Sequence, residues 1–464
     1  MNPKPRQALL KRRSILAGGT LLPLLAGCGM FDSAVKPPLT GNRKDILSTG
    51  AGLTVDPDEH AAITIPAVSA EREWQQPGRI PSHVGFNAAI DGLNPLWSTS
   101  IGAGISEPDI LSYIALGDNG RGVLGATPII SNGRIYVVDA QGNVSAINLA
   151  TRETIWNFTP KLPKLQSSNV GGGLCIDGDT LYIVDGVAET LAVDAHTNDI
   201  KWRVNVGVPG RSAPTVLGNT LYFSTLDQKL YALDIDTGTQ KWNYAATPAD
   251  TVIFGQPAPA IENSTLLAGF VSGDLVALRA ETGEVIWSDV LGNANGRSSV
   301  LDFASIRGMP VIMDGTVYTV SIADVLVAID IRSGRRLWER EVSGQNTLLV
   351  IGEWIFMISL DQQLACLDRI TGRVRWVTQL QRFRDEEEQS DAVFWMGPLL
   401  LNDKLVCISN FPDNGLIVAD PATGKIQMEK QLSFVPAVPA VVGEGKLFMI
   451  SQSGDLHVFG ASES

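Results

Sequence analysis

Residues 230–242 read LYALDIDTGTQKW, and nearly the same text returns at residues 326–338 (LVAIDIRSGRRLW) and 364–376 (LACLDRITGRVRW). Aligned on this stretch, the chain holds seven copies of one pattern: an apolar strand, usually an acid, two residues, Thr or Ser, Gly or Asn, and four residues later an aromatic. The copies close at Trp156, Trp202, Trp242, Trp287, Trp338 and Trp376, with Met428 standing in for the seventh aromatic. The turn position holds Gly238, Gly283, Gly334, Gly372 and Gly424, with Asn198 and Arg152 as substitutes. Glycine and asparagine adopt positive φ cheaply, so a tight turn joins two antiparallel strands there, and Arg152 is expected to be somewhat strained.

Ahead of each copy lies a second hairpin signal, as in GNTLYFSTLDQKLYALD (218–234) and DGTVYTVSIADVLVAID (314–330). Further upstream sits a short apolar segment with proline, as in RSAPTVL (211–217) and RGMPVIM (307–313). Each unit therefore has four strands. The tryptophan-to-tryptophan intervals of 46, 40, 45, 51 and 38 residues match a four-stranded propeller blade and are too irregular for a stacked helical solenoid.

The two ends give the blade number. Residues 442–459 supply the middle hairpin of an eighth unit that stops without its tryptophan strand, while NPLWSTSIG (94–102) is a tryptophan strand with no hairpin before it. Pairing the strand of Trp97 beside residues 456–459 closes the ring and leaves no open edge. The expected fold is all-β, an eight-bladed propeller of four-stranded antiparallel blades over residues 82–464. The tryptophans, Trp97 included, are expected to pack one blade against the next. Residues 106–122 and the charged RFRDEEEQSD (382–391) read as insertions between blades.

The amino terminus carries a different signal. A basic segment ending KRRS is followed by the apolar ILAGGTLLPLLAG, and roughly 13 such residues cannot cross a bilayer that needs about 20. Residues 1–27 thus read as a signal peptide, and Leu25, Ala26, Gly27 and Cys28 match a lipobox, which makes Cys28 the lipid-bearing first residue of the exported chain. Arg12 and Arg13 fit a twin-arginine signal and equally an ordinary secretion signal. Gly29 at the next position leaves outer-membrane sorting as the default, on the periplasmic side. Residues 28–81 have few aromatics and no periodicity and read as a flexible tether. The chain's net charge of −13 becomes −13 − 5 = −18 once the five cations of residues 1–27 are removed, so nucleic acid is an unsuitable partner.

Chemistry is sparse. Cys175, Cys366 and Cys407 lie in apolar strand patterns and read as buried free thiols. His60, His83, His196 and His457 stand far apart without metal-type spacing, so no metal or other cofactor and no catalytic residue is expected. NVGGGL (169–174) lacks the Lys-Ser/Thr of a phosphate loop, and its glycines more readily let an inner strand approach a crowded axis.

The strand, Asp, Thr-Gly and Trp pattern resembles the repeat of pyrroloquinoline-quinone enzymes and their non-enzymatic relatives, over nearly the whole chain from Asn94 onward. Eight units together with a lipobox are similar to the propeller lipoproteins of the outer-membrane β-barrel assembly machinery. That resemblance implies a scaffold without catalysis that holds the central barrel assembly protein through its periplasmic domains, beside accessory lipoproteins, and assists unfolded outer-membrane proteins. It also implies two partner-binding loops, placed here at 251–259 and 304–310, with Thr251, Ile253, Phe254, Ser305 and Arg307 as the candidate contacts. Phe254 stands where the family has an arginine, and Ser305 and Arg307 where it has acids, so a contact kept here would be apolar. Two rival classes stay open: a quinoprotein dehydrogenase, which would need a Ca²⁺–quinone site and usually an adjacent cysteine pair that this chain lacks, and an envelope scaffold with another client. The anchor is directly testable, since the exported Cys28→Ala chain is expected in the soluble fraction, and its persistence in the membrane pellet would remove the lipid from this account.

Overall fold

A computed structural model describes residues 53–59, 61–105, 124–160, 171–248, 256–292 and 305–461. Eight sheets, each an antiparallel meander of four strands, follow one another along the chain, and no helix occurs among the described residues. Blade 3 shows the plan: an inner strand Thr215–Leu217, a hairpin of Thr220–Ser224 and Lys229–Asp234, and an outer strand Gln240–Ala245. Blades 1, 2 and 4 to 8 begin at inner strands Ile129–Ser131, Gly172–Asp177, Ala260–Glu262, Val311–Met313, Leu349–Ile351, Trp395–Leu401 and Val441–Gly443. Blade 8 closes as the sequence requires: Asn94–Ser100 is its outer strand, with Trp97 opposite Val458 and Thr99 opposite Leu456. Residues 382–391 form a small ribbon, Phe383–Asp385 with Ser390–Ala392, inserted between blades 6 and 7. The insertion read at 106–122 lies outside the described residues.

The acid and the threonine of the repeat build the turn. Asp234 Oδ1 accepts the N–H groups of Asp236 and Thr237 at 3.1 Å each, and Thr237 Oγ1 accepts that of Thr239 at 3.3 Å. The same bonds recur at Asp194, Asp368 and Asp420. The N–H groups of Thr197 and His196 hold Asp194 below the usual carboxylate range, and the hydroxyl and N–H of Ser333 do so for Asp330.

The turn glycine and the tryptophan answer each other across blades. Each indole N–H donates to a carbonyl in the corresponding turn of the next blade: Trp156 to Ala195 (3.1 Å), Trp202 to Ile235 (2.7 Å), Trp242 to Ala280 (3.0 Å), Trp287 to Ile331 (2.7 Å), Trp338 to Arg369 (2.9 Å) and Trp376 to Pro421 (2.9 Å). From Trp202 to Trp376 the ring of the indole lies on the glycine of that turn, while the turn that receives Trp156 has Asn198 at this position, with φ 67°. A methyl group on Gly283 would stand 2.7 Å from the Trp242 ring, and its φ of +74° already disfavours any side chain. At the joint between blades 8 and 1 the pair changes. Arg152 occupies the turn with φ 67°, the strained geometry its position foretold, and its guanidinium stands 5.7 Å from the Trp97 ring centroid. Met428 likewise has a local cause. In the next blade, blade 8, the first and last strands of the ring meet where the turn would be, with Gly92 packed against Gly460, so no such turn awaits an indole.

Residues 53–81 correct the expectation of a loose tether. Leu53 and Trp74 are buried, Ile63 and Ile65 pack on the core shared by blades 6 and 7, and Asp56 pairs with Arg340 while its N–H bonds Val374. From Trp74 onward the chain becomes a strap that visits the inner strands of blades 1 to 7 in order and ends at the turn that follows the inner strand of blade 8. Trp74 exchanges two bonds with Ile130 (2.8 and 2.9 Å), and Ile176 N–H reaches Gln75 O (2.8 Å). Val216 N–H reaches Gln76 Oε1 (3.1 Å), and Ile261 and Ile312 N–H reach Pro81 and Ser82 O (2.8 and 2.9 Å). Gly85 N–H bonds Val350 O (2.9 Å), Asn87–Ala88 pairs in parallel with Leu400 and Leu401, and Asp91 N–H bonds Gly445 O (2.8 Å). Inner strands are sheet edges with unpaired backbone groups, and the strap supplies the missing partners.

The pairing between blades can be measured. Trp242→Ala is expected to destabilise by about 3–5 kcal/mol. Gly283→Ala alone should also destabilise, and by at least about 1 kcal/mol less when Trp242 is already Ala. A denaturant-melt double-mutant cycle with additive effects would show that the two residues do not share this contact.

Candidate functional site

The strap lies against the turns that leave the inner strands, and so covers one end of the central channel. What remains is a cavity of about 370 Å³ floored by Trp74, Pro77, His83 and Phe86. Its wall is uneven. Arg211, Gln256, Arg307 and Gln345 come from blades 3, 4, 5 and 6, each six residues ahead of the last residue of its blade's inner strand (217, 262, 313 and 351). Across from this arc the lining is Gly125 and Gly172 from blades 1 and 2, Pro398 and Leu399 from blade 7, and Pro439 and Val441 from blade 8. No aspartate or glutamate occurs among the described lining residues, although the chain carries −13. Burial pulls the Arg211 and Arg307 guanidinium groups below the usual arginine range.

Several polar atoms here have no hydrogen-bond partner among the described residues. Gln256 donates through Nε2 to Gln228 Oε1 at 2.9 Å, which leaves its own Oε1 without a donor. His83, 3% exposed, bonds Pro310 O through Nδ1 at 2.8 Å. A carbonyl can only accept, so Nδ1 carries the proton and Nε2 is a bare acceptor without a partner. Trp74 Nε1 is a donor in the same situation.

The candidate contacts fare unequally. Cys28, Thr251, Ile253 and Phe254 lie outside the described residues. Ser305 is fully buried, its carbonyl taken by Ile322 N–H, so it offers no surface to a partner. Arg307 turns into the channel, with Nη1 3.5 Å from Gln345 Oε1. The two segments chosen from sequence nonetheless meet: Gln256 and Pro257 line the same cavity as Arg307 and Met309, on neighbouring blades. His83, Trp74, Arg211 and Gln345 were not singled out. The signal was present in the shared offset from the inner strand, but it acquires meaning only when the ring closes.

Other residues take structural places. The seven blade tryptophans sit on outer strands. Cys175, Cys366 and Cys407 are buried free thiols, pushed up by burial. His196 is an exposed turn residue, while His457 stacks on Phe434 at 3.6 Å and 6°. Gly172 and Gly173 make close backbone approaches, at 1.9 Å to Val184 O and 2.5 Å to Ala213 Cβ for an added methyl group.

The sequence model of a family described as outer membrane protein assembly factor BamB matches residues 140–378, more than half of the chain. The chain belongs to the BamB family. Outer membrane protein assembly factor BamB of Yersinia pestis is 24% identical over 456 residues, covering 97% of this chain and 99% of that relative. The crystal structure of BamB from Moraxella catarrhalis overlays with a TM-score of 0.64 at 20% identity, over 80% of this chain and 100% of that one. A quinohemoprotein alcohol dehydrogenase from Comamonas testosteroni has the same fold, at a TM-score of 0.60 and 13% identity over 84% of this chain and 81% of its own. Among the described lining residues of the channel of this BamB-family chain, no carboxylate is placed to hold the calcium of a calcium–quinone pair.

His83 gives the site a pH signature. Burial, opposed by the bond to Pro310, lowers its pKa from 6.5 to about 4, so between these values the unfolded chain binds more protons than the folded one. Stability is therefore fully present above about pH 6.5 and falls by roughly 3 kcal/mol as the pH drops towards 4. His457, also lowered by burial, adds to the same slope. Urea midpoints of His83→Gln should lose part of this slope, and an unchanged slope would mean that His83 is not held neutral.

Proposed function

We propose that this chain is a scaffold lipoprotein of the outer-membrane β-barrel assembly machinery. It is held by lipid on Cys28 at the periplasmic side of the outer membrane, binds the central barrel assembly protein, and assists the folding and insertion of outer-membrane proteins without catalysing a reaction. Membership of the BamB family carries the reading, and near end-to-end likeness to a relative named as an assembly factor supports it. The lipobox at residues 25–28 fits the location.

A rigid ring suits this work. Blades stapled by indole–carbonyl bonds hold their connecting loops at fixed angles, so loops entering neighbouring blades can present one continuous surface to a partner. The connections holding residues 249–255 and 293–304 lead into blades 4 and 5, beside Gln256 and Arg307. On this reading the surface is formed by Thr251, Ile253 and Phe254 of the first connection, with Arg307 at its inner edge.

A pull-down from detergent-solubilised native envelopes tests this. The central barrel assembly protein and its accessory lipoproteins are expected to be recovered, and Ile253→Asp with Phe254→Asp should reduce that recovery while leaving the unfolding midpoint unchanged. A stable complex with different envelope proteins in their place would replace this function with another scaffold role.

A further inference from the structure

The turns before the outer strands ring the strap side of the molecule, because in a four-stranded meander they lie at the same end as the turns that leave the inner strands. Their charge is uneven. From the acid position of the turn to the residue before the tryptophan, the stretch 330–337 of blade 5 holds three arginines and one aspartate (3 − 1 = +2), and so does 368–375 of blade 6. The matching stretches of blades 2, 3 and 4 (194–201, 234–241 and 279–286) each hold one cation and two acids (1 − 2 = −1). A chain of −13 thus carries a cationic arc over two neighbouring blades.

The acids of this arc are turned inward. Asp330 Oδ1 accepts the N–H and hydroxyl of Ser333 (2.8 and 2.7 Å), and Asp368 Oδ1 accepts the N–H groups of Ile370 and Thr371 (3.0 and 2.7 Å). Arg332, Arg335 and Arg373 are exposed and make no ion pair among the described residues. In the same turn as Arg373 stands Ile370, at 58% the most exposed large apolar side chain among the described residues. The segment that leads from Cys28 arrives at this place: Leu53 is buried in the core of blades 5 and 6, Asp56 pairs with Arg340 and accepts the N–H of Val374 (2.6 Å), and Arg375 Nε donates to Ala61 O (3.1 Å).

We propose that the arc of blades 5 and 6 rests on an anionic phospholipid surface, with Arg332, Arg335 and Arg373 among the headgroups and Ile370 at the apolar boundary below them. Guanidinium groups pair with phosphate oxygens, the negative surface potential of anionic lipid draws basic residues held near it, and an apolar side chain among them adds burial. The acids of blades 2 to 4 do not cancel the arc, because charges more than about 8 Å apart are screened at physiological salt. The inference rests on the lipid anchor for its choice of occupant, since the tether docks on this rim, and it deepens that reading: the acyl chains hold the molecule and the arc sets which side of it meets the bilayer. The outer strands run from these turns to the opposite side of the ring, which leaves the connections entering blades 4 and 5 open to a partner. A basic patch alone attaches weakly and reversibly, so the Cys28→Ala chain still belongs in the soluble fraction.

That variant, exported and free of acyl chains, separates the two readings. It is expected to co-sediment with vesicles of equal parts phosphatidylglycerol and phosphatidylcholine at least about tenfold more tightly than with phosphatidylcholine alone. Adding Arg332→Gln, Arg335→Gln and Arg373→Gln together should weaken this binding at least about tenfold, whereas Lys201→Gln, Lys241→Gln and Arg279→Gln, which remove as many charges from blades 2 to 4, should leave it unchanged. A polarity-sensitive dye on Ile370→Cys should shift to the blue on the mixed vesicles, and the same dye on Asp236→Cys, the equivalent position of blade 3, should not; Cys175, Cys366 and Cys407 are buried and escape the label. Equal binding to both vesicles, indifference to the arginine triple, an equal loss in the control triple or an equal dye shift at position 236 would overturn the proposal. Capture of an acidic envelope protein through these arginines, without vesicle binding, would put a protein in the place of lipid. Persistence of Cys28→Ala in the membrane pellet would instead remove the acyl anchor and leave the vesicle result standing.

Discussion

One contact sets the geometry of this molecule: in blades 1 to 6 the indole of the outer strand bonds a carbonyl of the next blade, and in blades 2 to 6 it also rests on a glycine turn. A four-stranded sheet cannot hide both of its faces. The indole covers the outer part of that face, and its single N–H finds an acceptor there, so the burial leaves no polar group unpaired. The glycine of one unit and the tryptophan of the one before are halves of the same joint. Hence the two features travel together along the sequence, and the pairing changes on either side of the blade that closes the ring, at Arg152 and at Met428.

The strap follows from a second constraint. Eight inner strands converge on one axis, each with an edge that has no strand beside it, and polar backbone facing an apolar channel is costly. Residues 74–91 meet this edge in blades 1 to 7, with backbone hydrogen bonds, a side-chain amide and a short parallel pair, and reach blade 8 at the turn after its inner strand. In doing so they floor the central channel, whose described lining carries arginine and glutamine from blades 3 to 6 and glycine, proline and aliphatic residues from the others.

The repeat was legible because its chemistry is periodic: an Asx turn, a residue at positive φ and a large aromatic at constant spacing each have a local cause. Closure was legible because an unfinished unit at one end called for its missing strand at the other. The strap was not legible, since Trp74, Pro81, Gly85 and Asn87 each touch a different blade and so leave no period. Low aromatic content then looked like a tether. The channel lining escaped for a related reason: Arg211 and Arg307 lie 96 residues apart in sequence, and only the circle brings them to one cavity. Ser305 was misread because the short segment before an inner strand alternates between channel and interior, and its side chain falls on the interior side.

Synthesis begins at the amino end, yet the strap's docking surface is finished only when the eighth inner strand, Val441–Gly443, exists. The seating of this early segment is therefore complete only after almost the whole chain is made. Until the ribosome has released almost the entire chain, the axis stays open at both ends, and Asn94–Ser100 has no neighbour to zip against. Ring closure and strap docking thus serve as a built-in proof of completeness that a shortened chain has no means of passing.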